Sequence, residues 1–362
     1  MGSIRSWFPY WCTLWQYLGS LRWTVACLLW MCVLTVWGTV AQVNPEVGLY
    51  GALQRFFHSW WFRGPGGLPL PGMVGTLAVF FVNLLASLFQ RFQPIRSYVG
   101  LWVLHLGLGL LLVGSWVGLN HARESSVTLA EGQSTSVGVS SDEWELAIIE
   151  LVGEAHRRVH AWDLRSLRPG QILPLPGMPY GAMVHQVWSS VEWSGSQPPS
   201  PEALRSARHV DPQRAIPAVV LRVGSDRFAL VGEGDALRIP RRETSDEVYV
   251  HLRRARHPLP ITIRLVDFRK EFYPNSRIPR SFQSRIEVFD GRSQRPVVIS
   301  MNRPFRYGPF TFYQSSYIDH PDGPEISVLA VSENHVRWWP YVSCALMCAG
   351  MVLHYLSPRR RR

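Results

Sequence analysis

Four apolar runs without a single Asp, Glu, Lys or Arg restrict this chain of 362 residues more than any other feature: Trp23–Ala41, Met73–Phe89, Tyr98–Leu119 and Trp338–Leu356. Each approaches the roughly 20 residues that a helix, rising about 1.5 Å per residue, needs to cross a bilayer core. The expected fold is an α+β membrane protein with four transmembrane helices, in which the long polar segment 120–337 is inserted between the third and the fourth.

Basic residues set the expected orientation. Arg5 and Arg22 lie in the amino-terminal arm, Arg91 and Arg96 between the second and third runs, and Arg359, Arg360, Arg361 and Arg362 close the chain; none of the three segments holds an acidic residue. By the positive-inside rule all three are cytoplasmic, and four crossings independently return the carboxyl terminus to the side of the amino terminus. The expected divisions are a cytoplasmic or interfacial arm over 1–22, a three-helix membrane region over 23–119 with a short outer loop at 42–72, a β-rich outer domain over 120–337, a fourth span over 338–356 and a basic tail over 357–362. In a bacterium this is a multi-pass protein of the inner membrane with its large domain in the periplasm.

Thr39-Val40-Ala41 loosely resembles a signal-peptide cleavage site, but the apolar stretch before it is long for a signal core and the arm is long and aromatic, which favours an uncleaved anchor. Trp7, Trp11 and Trp15 recur at helical spacing in that arm, with Phe8, Tyr10 and Tyr17 around them. Such rings prefer the headgroup layer, so the arm reads as an interfacial helix, with a flexible aromatic tail as the alternative.

The net charge of +11 does not point to nucleic acid. Much of the excess sits at membrane edges, where anionic lipid is the nearer partner, and no nucleic-acid motif occurs. Lys270 is the sole lysine, a bias that reflects base composition more than a phosphate-reading surface. The five cysteines, Cys12, Cys27, Cys32, Cys344 and Cys348, fall in the arm or in the apolar runs, and the outer segment has none. A thiol oxidoreductase needs a Cys-x-x-Cys pair facing its substrate, and a c-type cytochrome needs Cys-x-x-Cys-His, so both functions are excluded. Cys344 and Cys348, four apart in one run, read as small buried hydrophobes.

The outer segment is β-rich by its alternation. Expected strands are Val127–Ala130, Glu145–Leu151, Ala182–Trp188, Ile216–Val223, Arg227–Val231, Ile261–Phe268, Arg285–Phe289, Val297–Met301, Phe310–Tyr317 and Ile326–Val331. Turn chemistry at Asp290-Gly291, Arg306-Tyr307-Gly308-Pro309 and Pro321-Asp322-Gly323 separates them. A twisted antiparallel sheet, a sandwich or an open barrel follows. Gln197-Pro198-Pro199-Ser200-Pro201 reads as a surface excursion, and Glu202–Pro212 as a short helix or a disordered stretch.

Of twelve histidines only His105 and His354 lie in apolar runs. An imidazole in hydrocarbon is a functional hypothesis by default. His105 follows Tyr98 by seven residues, about 10 Å into its helix, too deep to reach the headgroups. Gly107, Gly109, Gly114 and Gly118 give that helix small faces, including a Gly-x-x-x-Gly at 114 and 118 that lets another helix or a flat ligand approach. Neutral imidazole is a good iron ligand, so His105 reads as an axial haem ligand or as a helix-to-helix hydrogen bond. His354, close to the end of its run, reads as an interfacial anchor, and its depth differs from that of His105 by about 7 Å, which weighs against a bis-histidine site within one chain.

At this point the residues resemble a known family. Leu18-Gly19-Ser20-Leu21-Arg22 through Gly38-Thr39-Val40-Ala41-Gln42 is similar to the opening of ResB-like proteins, the smaller half of the system II cytochrome c biogenesis machinery. Phe56-Phe57-His58-Ser59-Trp60-Trp61-Phe62, Leu70-Pro71-Gly72, Val82-Asn83-Leu84-Leu85-Ala86 and His105-Leu106-Gly107-Leu108 follow in the same order. The outer segment adds Glu131-Gly132-Gln133, Glu145-Leu146-Ala147-Ile148, Pro279-Arg280-Ser281-Phe282-Gln283-Ser284 and Phe310-Thr311-Phe312-Tyr313-Gln314-Ser315-Ser316-Tyr317. No single string is diagnostic; the ordered set is what carries the resemblance.

The resemblance implies movement of haem b across the membrane and its presentation to an apocytochrome c, together with a larger ResC/CcsA-type partner. It implies that His105 supplies one axial ligand of a transient haem site whose other ligand belongs to that partner. The chain lacks a tryptophan-rich haem motif, so on this reading it is an accessory subunit of the holocytochrome c synthase rather than the whole enzyme, and Ser87 stands where many relatives carry cysteine. Trp188, Trp193, Trp338 and Trp339 lie where they contact either a porphyrin face or, as ordinary aromatic residues do, the interface and core. Two rival readings are an electron-transfer subunit with a permanent haem b on His105 and His354, and a haem-free membrane scaffold.

Overall fold

All four apolar runs are helical: α1 is Leu21–Ala41, α2 Met73–Gln90, α3 Val99–His121 and α4 Trp339–Leu356. The computed structural model describes residues 17–44, 47–90, 98–152, 156–192, 200–207, 215–240, 247–276, 278–319 and 323–357. The aromatic arm at 7–15 with Cys12, the basic residues at 91, 96 and 359–362, Trp193, the prolines at 198 and 199, and Pro321-Asp322 lie outside them. Two units divide the chain, a helical one of Met1–Ala122 with Asn334–Arg362 and a β-rich one of Arg123–Glu333.

In the helical unit α1, α3 and α4 are long and apolar enough to cross a membrane, which makes this a membrane protein. The shorter apolar helix, Met73–Leu88 within α2, spans about 24 Å at 1.5 Å per residue against a core of about 30 Å. Between α1 and α2 the chain forms a small aromatic module. A short helix, Gly48–Ala52, runs into a π-helical turn at Leu53–Phe57, and a hairpin then pairs Trp61–Arg63 with Pro69–Pro71. Its core is Leu34, Ala52, Phe56 and Phe62, with Trp37 at 5.4 Å from the Phe56 ring and 5.7 Å from Phe62. Trp30 Nε1 donates to the Pro71 carbonyl at 3.0 Å, which ties the module to α1.

Helices α3 and α4 run antiparallel along a seam of glycine. Gly100, Gly107 and Gly114 are buried on one face of α3 at heptad spacing. A Cβ on Gly107 would stand 2.9 Å from the Ser343 carbonyl oxygen, one on Gly114 2.9 Å from the Trp339 ring, and one on Gly350 2.7 Å from the Gly100 carbonyl oxygen. The backbones are therefore in direct contact, the packing that small residues permit between helices in a lipid environment. The Gly114–Gly118 pair singled out above is not the seam. A Cβ on Gly118 would meet nothing nearer than Val336 at 3.6 Å, and Gly109 faces Phe81 of α2 at 3.9 Å.

The β-rich unit is built around a strand of 26 residues, Glu247–Phe272. It pairs with Leu237–Pro240, with Ser134–Val152 along most of its length, and with Pro279–Phe289 over its second half, in each case antiparallel. Register shifts between Arg254 and Arg256 and between Pro258 and Ile263 bend this ladder, as bulges do. Its two halves then serve two cores. Val248, Val250 and Leu252, with Leu146 and Ile148, pack on a four-stranded sheet of Ile172–Pro174, Gly181–Trp188, Ala218–Val223 and Asp226–Val231. Ile263 and Leu265 face Ile286, Phe312 and Leu329 inside a curled sheet of ten strands. That sheet runs from the edge Gln294–Ser300 through Pro279–Phe289, the long strand, Ser134–Val152, Arg123–Ala130, Ile326–Glu333 and Phe310–Ile318 to the edge Phe305–Tyr307.

Each expected strand falls largely within an observed one, and most observed strands are longer. Met301 turns out of its strand, and Ile216 and Pro217 precede theirs. Over the described part of Glu202–Pro212 there is no helix; Arg205–Ser206 pairs with Val191–Glu192 instead. The Glu131-Gly132-Gln133 turn fits a bulge in the long strand. Glu131 Oε1 accepts from Phe268 N at 2.8 Å, Gly132 N donates to the Leu265 carbonyl at 2.8 Å with Gly132 at φ 83°, and Leu265 N donates to the Gln133 carbonyl at 3.0 Å.

Two expectations follow from this packing. Gly107→Ala should destabilise the helical unit by about 1–3 kcal/mol through overpacking while Gly118→Ala is tolerated, read as thermal inactivation of the detergent-solubilised protein. In the β unit, burial and then the neighbouring Arg253 push the His251 imidazole below its ordinary value near 6.5. The folded state thus favours the neutral ring, whose contribution is fully present above that value and is lost as the pH falls through it. Melts of the β-sheet signal from about pH 8 to about pH 5 should show this loss, and His251→Gln should flatten it.

Candidate functional site

Two polar residues one helical turn apart in α2 hold the start of α1. Asn83, buried at 3% exposure, donates through Nδ2 to the carbonyls of Leu18 at 2.5 Å and Ser20 at 3.1 Å and accepts from Thr24 Oγ1 at 2.7 Å. Ser87 Oγ donates to the Gly19 carbonyl at 2.9 Å. The carbonyls of Leu18 and Gly19, just ahead of α1, have no helical donor, so the amide and hydroxyl of α2 complete them, while Ser20, the cap of α1, also accepts from Trp23 N at 3.1 Å. Two of the strings on which the family resemblance rests, at 18–22 and 82–86, are therefore in contact. Ser87 has a positioning role here that needs no thiol.

His105 lies on the other face of α3 from the glycine seam. At 100° per residue it is displaced by about 160° from Gly107, together with Leu101, Leu112 and Trp116. With Leu101 and Trp102 it lines a cleft against Ser87 and Leu88 of α2. Its Nδ1 is 2.7 Å from the Leu101 carbonyl oxygen, which can only accept. The hydrogen of the neutral ring is thus on Nδ1, and Nε2 keeps its lone pair with no partner among the described residues, the arrangement that orients a metal-binding imidazole. His121 repeats this backbone bond to Val117 at 3.1 Å on the exposed end of α3, so the bond alone does not distinguish His105; its placement in the cleft does.

The cleft has about 10 Å³ of free space, room for one water and not for a macrocycle. Further along the same face, beyond the Phe81–Gly109 contact, α2 and α3 diverge into an apolar groove of about 410 Å³. Trp60, Phe81, Leu112 and Trp116 are among its walls, and its size is that of a small-molecule site. The side chains present therefore fit a single axial ligand on an open helix face rather than a closed haem pocket. Trp60 belongs to one of the strings that carry the resemblance, but Trp116 had no distinguishing signal in the sequence, being one tryptophan among sixteen.

The other candidate residues are placed elsewhere. Gly100 and Gly350 bring the backbone of His354 onto the seam face of α3, so His354 and His105 belong to different faces and form no shared site. Trp339 packs on Gly114, Trp188 is partly buried against the small core of Val191, Leu204 and Val220, and Trp338 is exposed with the Arg337 guanidinium 5.3 Å from its ring. Among the described residues no group of three or more His, Cys, Asp or Glu is placed to hold a metal ion.

The ResB-like family model matches residues 228–324 of this chain. The match supports a ResB-like protein. It covers the long strand, the Pro279–Ser284 and Phe310–Tyr317 strings and both edges of the curled sheet, and it does not extend to α3. No match is found among curated proteins. A ResB-like membrane protein points to cytochrome c biogenesis, and within it the α2–α3 face is the candidate site.

Replacing Asn83 by Leu should leave the Leu18 carbonyl without its donor and the Thr24 hydroxyl without its acceptor and cost about 1–3 kcal/mol, whereas Ser87→Ala should cost about 0.6 kcal/mol, both measured as loss of thermal stability in detergent.

Proposed function

We propose that this chain is the smaller membrane subunit of a system II cytochrome c synthase, and that His105 provides one axial ligand for haem b in transit. A ResC/CcsA-type partner provides the second ligand and encloses the macrocycle, and the complex delivers haem to an apocytochrome c. The observation that carries this reading is the orientation of His105: Nδ1 is committed to the Leu101 carbonyl, and Nε2 is free on the helix face away from the glycine seam. In the proposed topology all four helices cross the inner membrane, both termini are cytoplasmic and the β-rich domain is periplasmic, which the basic segments support.

Haem is cargo in this scheme, and an open face suits cargo better than a sealed pocket does. The Leu101 bond fixes the ring against rotation, so ligation costs little ordering at the moment of transfer. Apolar walls around His105 keep water from the iron, and a single ligand from this chain lets the partner's ligand be exchanged without dismantling the site. Separate placement of His354 counts against the permanent bis-histidine reading.

Haem should co-purify with this chain chiefly when the partner is co-expressed. His105→Ala should lower the haem content of that complex by roughly tenfold or more, with partial recovery on added imidazole. Undiminished haem and undiminished c-type cytochrome in the His105→Ala strain would leave only the scaffold reading.

A further inference from the structure

The curled sheet of the β-rich unit leaves a seam. Its two edge strands, Gln294–Ser300 and Phe305–Tyr307, have a ladder partner on one side only, Pro279–Phe289 for the first and Phe310–Ile318 for the second. The described contacts that bridge the seam are the Ser300–Arg303 bridge, where each N–H donates to the other's carbonyl at 3.3 and 3.0 Å, and the Arg295 guanidinium, 5.4 Å from the Phe305 ring. Because Ser300 spends its N–H on that bridge, the alternation of an antiparallel ladder turns the backbone groups of Val298 and Pro296 outward as well. The far end agrees: Asp290 N donates to the Ser293 carbonyl, so Gln294 falls on the outward set. Pro296 lacks an N–H and sits where none is needed.

A depression of about 400 Å³ lies along this edge, with Pro296 and Val298 on one side and Arg303, Phe305 and Arg306 on the other. Val298 is 42% exposed. Arg303 and Arg306 are within ion-pair distance of no carboxylate among the described residues. An outward N–H and carbonyl on Val298, an outward carbonyl on Pro296 and a pair of free guanidinium groups describe the ligand they would recognise. It offers an extended backbone and carries carboxylates.

We infer that the Pro296–Val298 edge binds an extended, acidic peptide segment by strand addition, with Arg303 and Arg306 selecting its charge. Main-chain bonds supply the affinity in this mode and flanking side chains the specificity. Pro296 limits the template to a short stretch, which keeps the edge from pairing with other sheets at large and keeps the engagement transient. That the segment belongs to an unfolded client chain rests on the function proposed above; the recognition chemistry does not.

The test uses the full chain in detergent and fluorescein-labelled peptides of alternating Glu and Val, followed by anisotropy. Binding of this peptide is expected, weakened roughly tenfold or more when alternate peptide nitrogens are methylated and about fivefold by Val298→Pro, which removes one edge donor while copying the tolerated neighbour at 296. The Arg303→Glu/Arg306→Glu double variant should reverse the preference so that a Lys-Val peptide binds better. Equal binding of the methylated peptide, or an unchanged charge preference in the double variant, would overturn the inference. Retained melting temperature distinguishes a folded variant from a collapsed one, and His105→Ala should leave peptide binding unaltered, so a failed haem assay and a failed peptide assay have separate meanings.

Discussion

Backbone contact between α3 and α4 is the constraint from which the rest of the helical unit follows. With Gly100, Gly107 and Gly114 set against Gly350, Ser343 and Trp339, α3 has one permitted rotation, because turning it by a single residue would drive a leucine or valine side chain into a neighbouring main chain. A helix advances 100° per residue, so fixing three glycines on one face fixes every other side chain. The face left over carries Leu101, His105, Leu112 and Trp116. Sequence supplies the imidazole, and the seam supplies its direction.

Different forces hold the two helix pairs. Close packing of small residues joins α3 to α4, whereas hydrogen bonds from Asn83 and Ser87 join α2 to the head of α1. Between the pairs the contact is thin, with Phe81 against Gly109 and open space on either side. Binding sites between helices need such a joint, since a face sealed by packing has nothing to offer a ligand and a face with no neighbour cannot orient one. His105 sits at one opening and the tryptophan-lined groove at the other. Both openings are consequences of how firmly the flanking pairs are made.

Much of this was legible in the sequence where a single element carries the signal. Apolar runs marked all four helices, and period-2 stretches such as Thr262–Phe268 lay inside observed strands. What stayed hidden depends on partners remote in the chain. Arg253-Arg254-Ala255-Arg256 lies outside every expected strand, yet it continues the long strand because Arg253 is buried against Glu145, Nε to Oε1 at 2.8 Å, and Arg254 stacks 4.1 Å over the Trp144 ring. Glycines at 100, 107 and 114 are visible as a heptad, but the choice between them and the pair at 114 and 118 is made by α4. Asn83 and Ser87 are an i, i+4 polar pair inside an apolar run, a signal that names a bond without naming its partner.

The seam of the β-rich unit raises the question of what keeps a sheet curled when its edges do not pair. Part of the answer is the core of Ile263, Leu265, Ile286, Phe312 and Leu329, which draws the two ends of the sheet together without regard to register. Register is set from inside by a buried polar trio. Ser284 Oγ donates to Gln314 Oε1 at 2.6 Å and lies 2.7 Å from Ser327 Oγ, while Gln314 Nε2 donates to Ser327 Oγ at 3.1 Å, so strands from opposite ends of the sheet are tied across the interior. Such a network is costly unless every member is satisfied, and it is directional where apolar packing is not. A barrel tied through its middle does not need its rim ladder to hold its shape. Its edge backbone groups are therefore free to serve another chain.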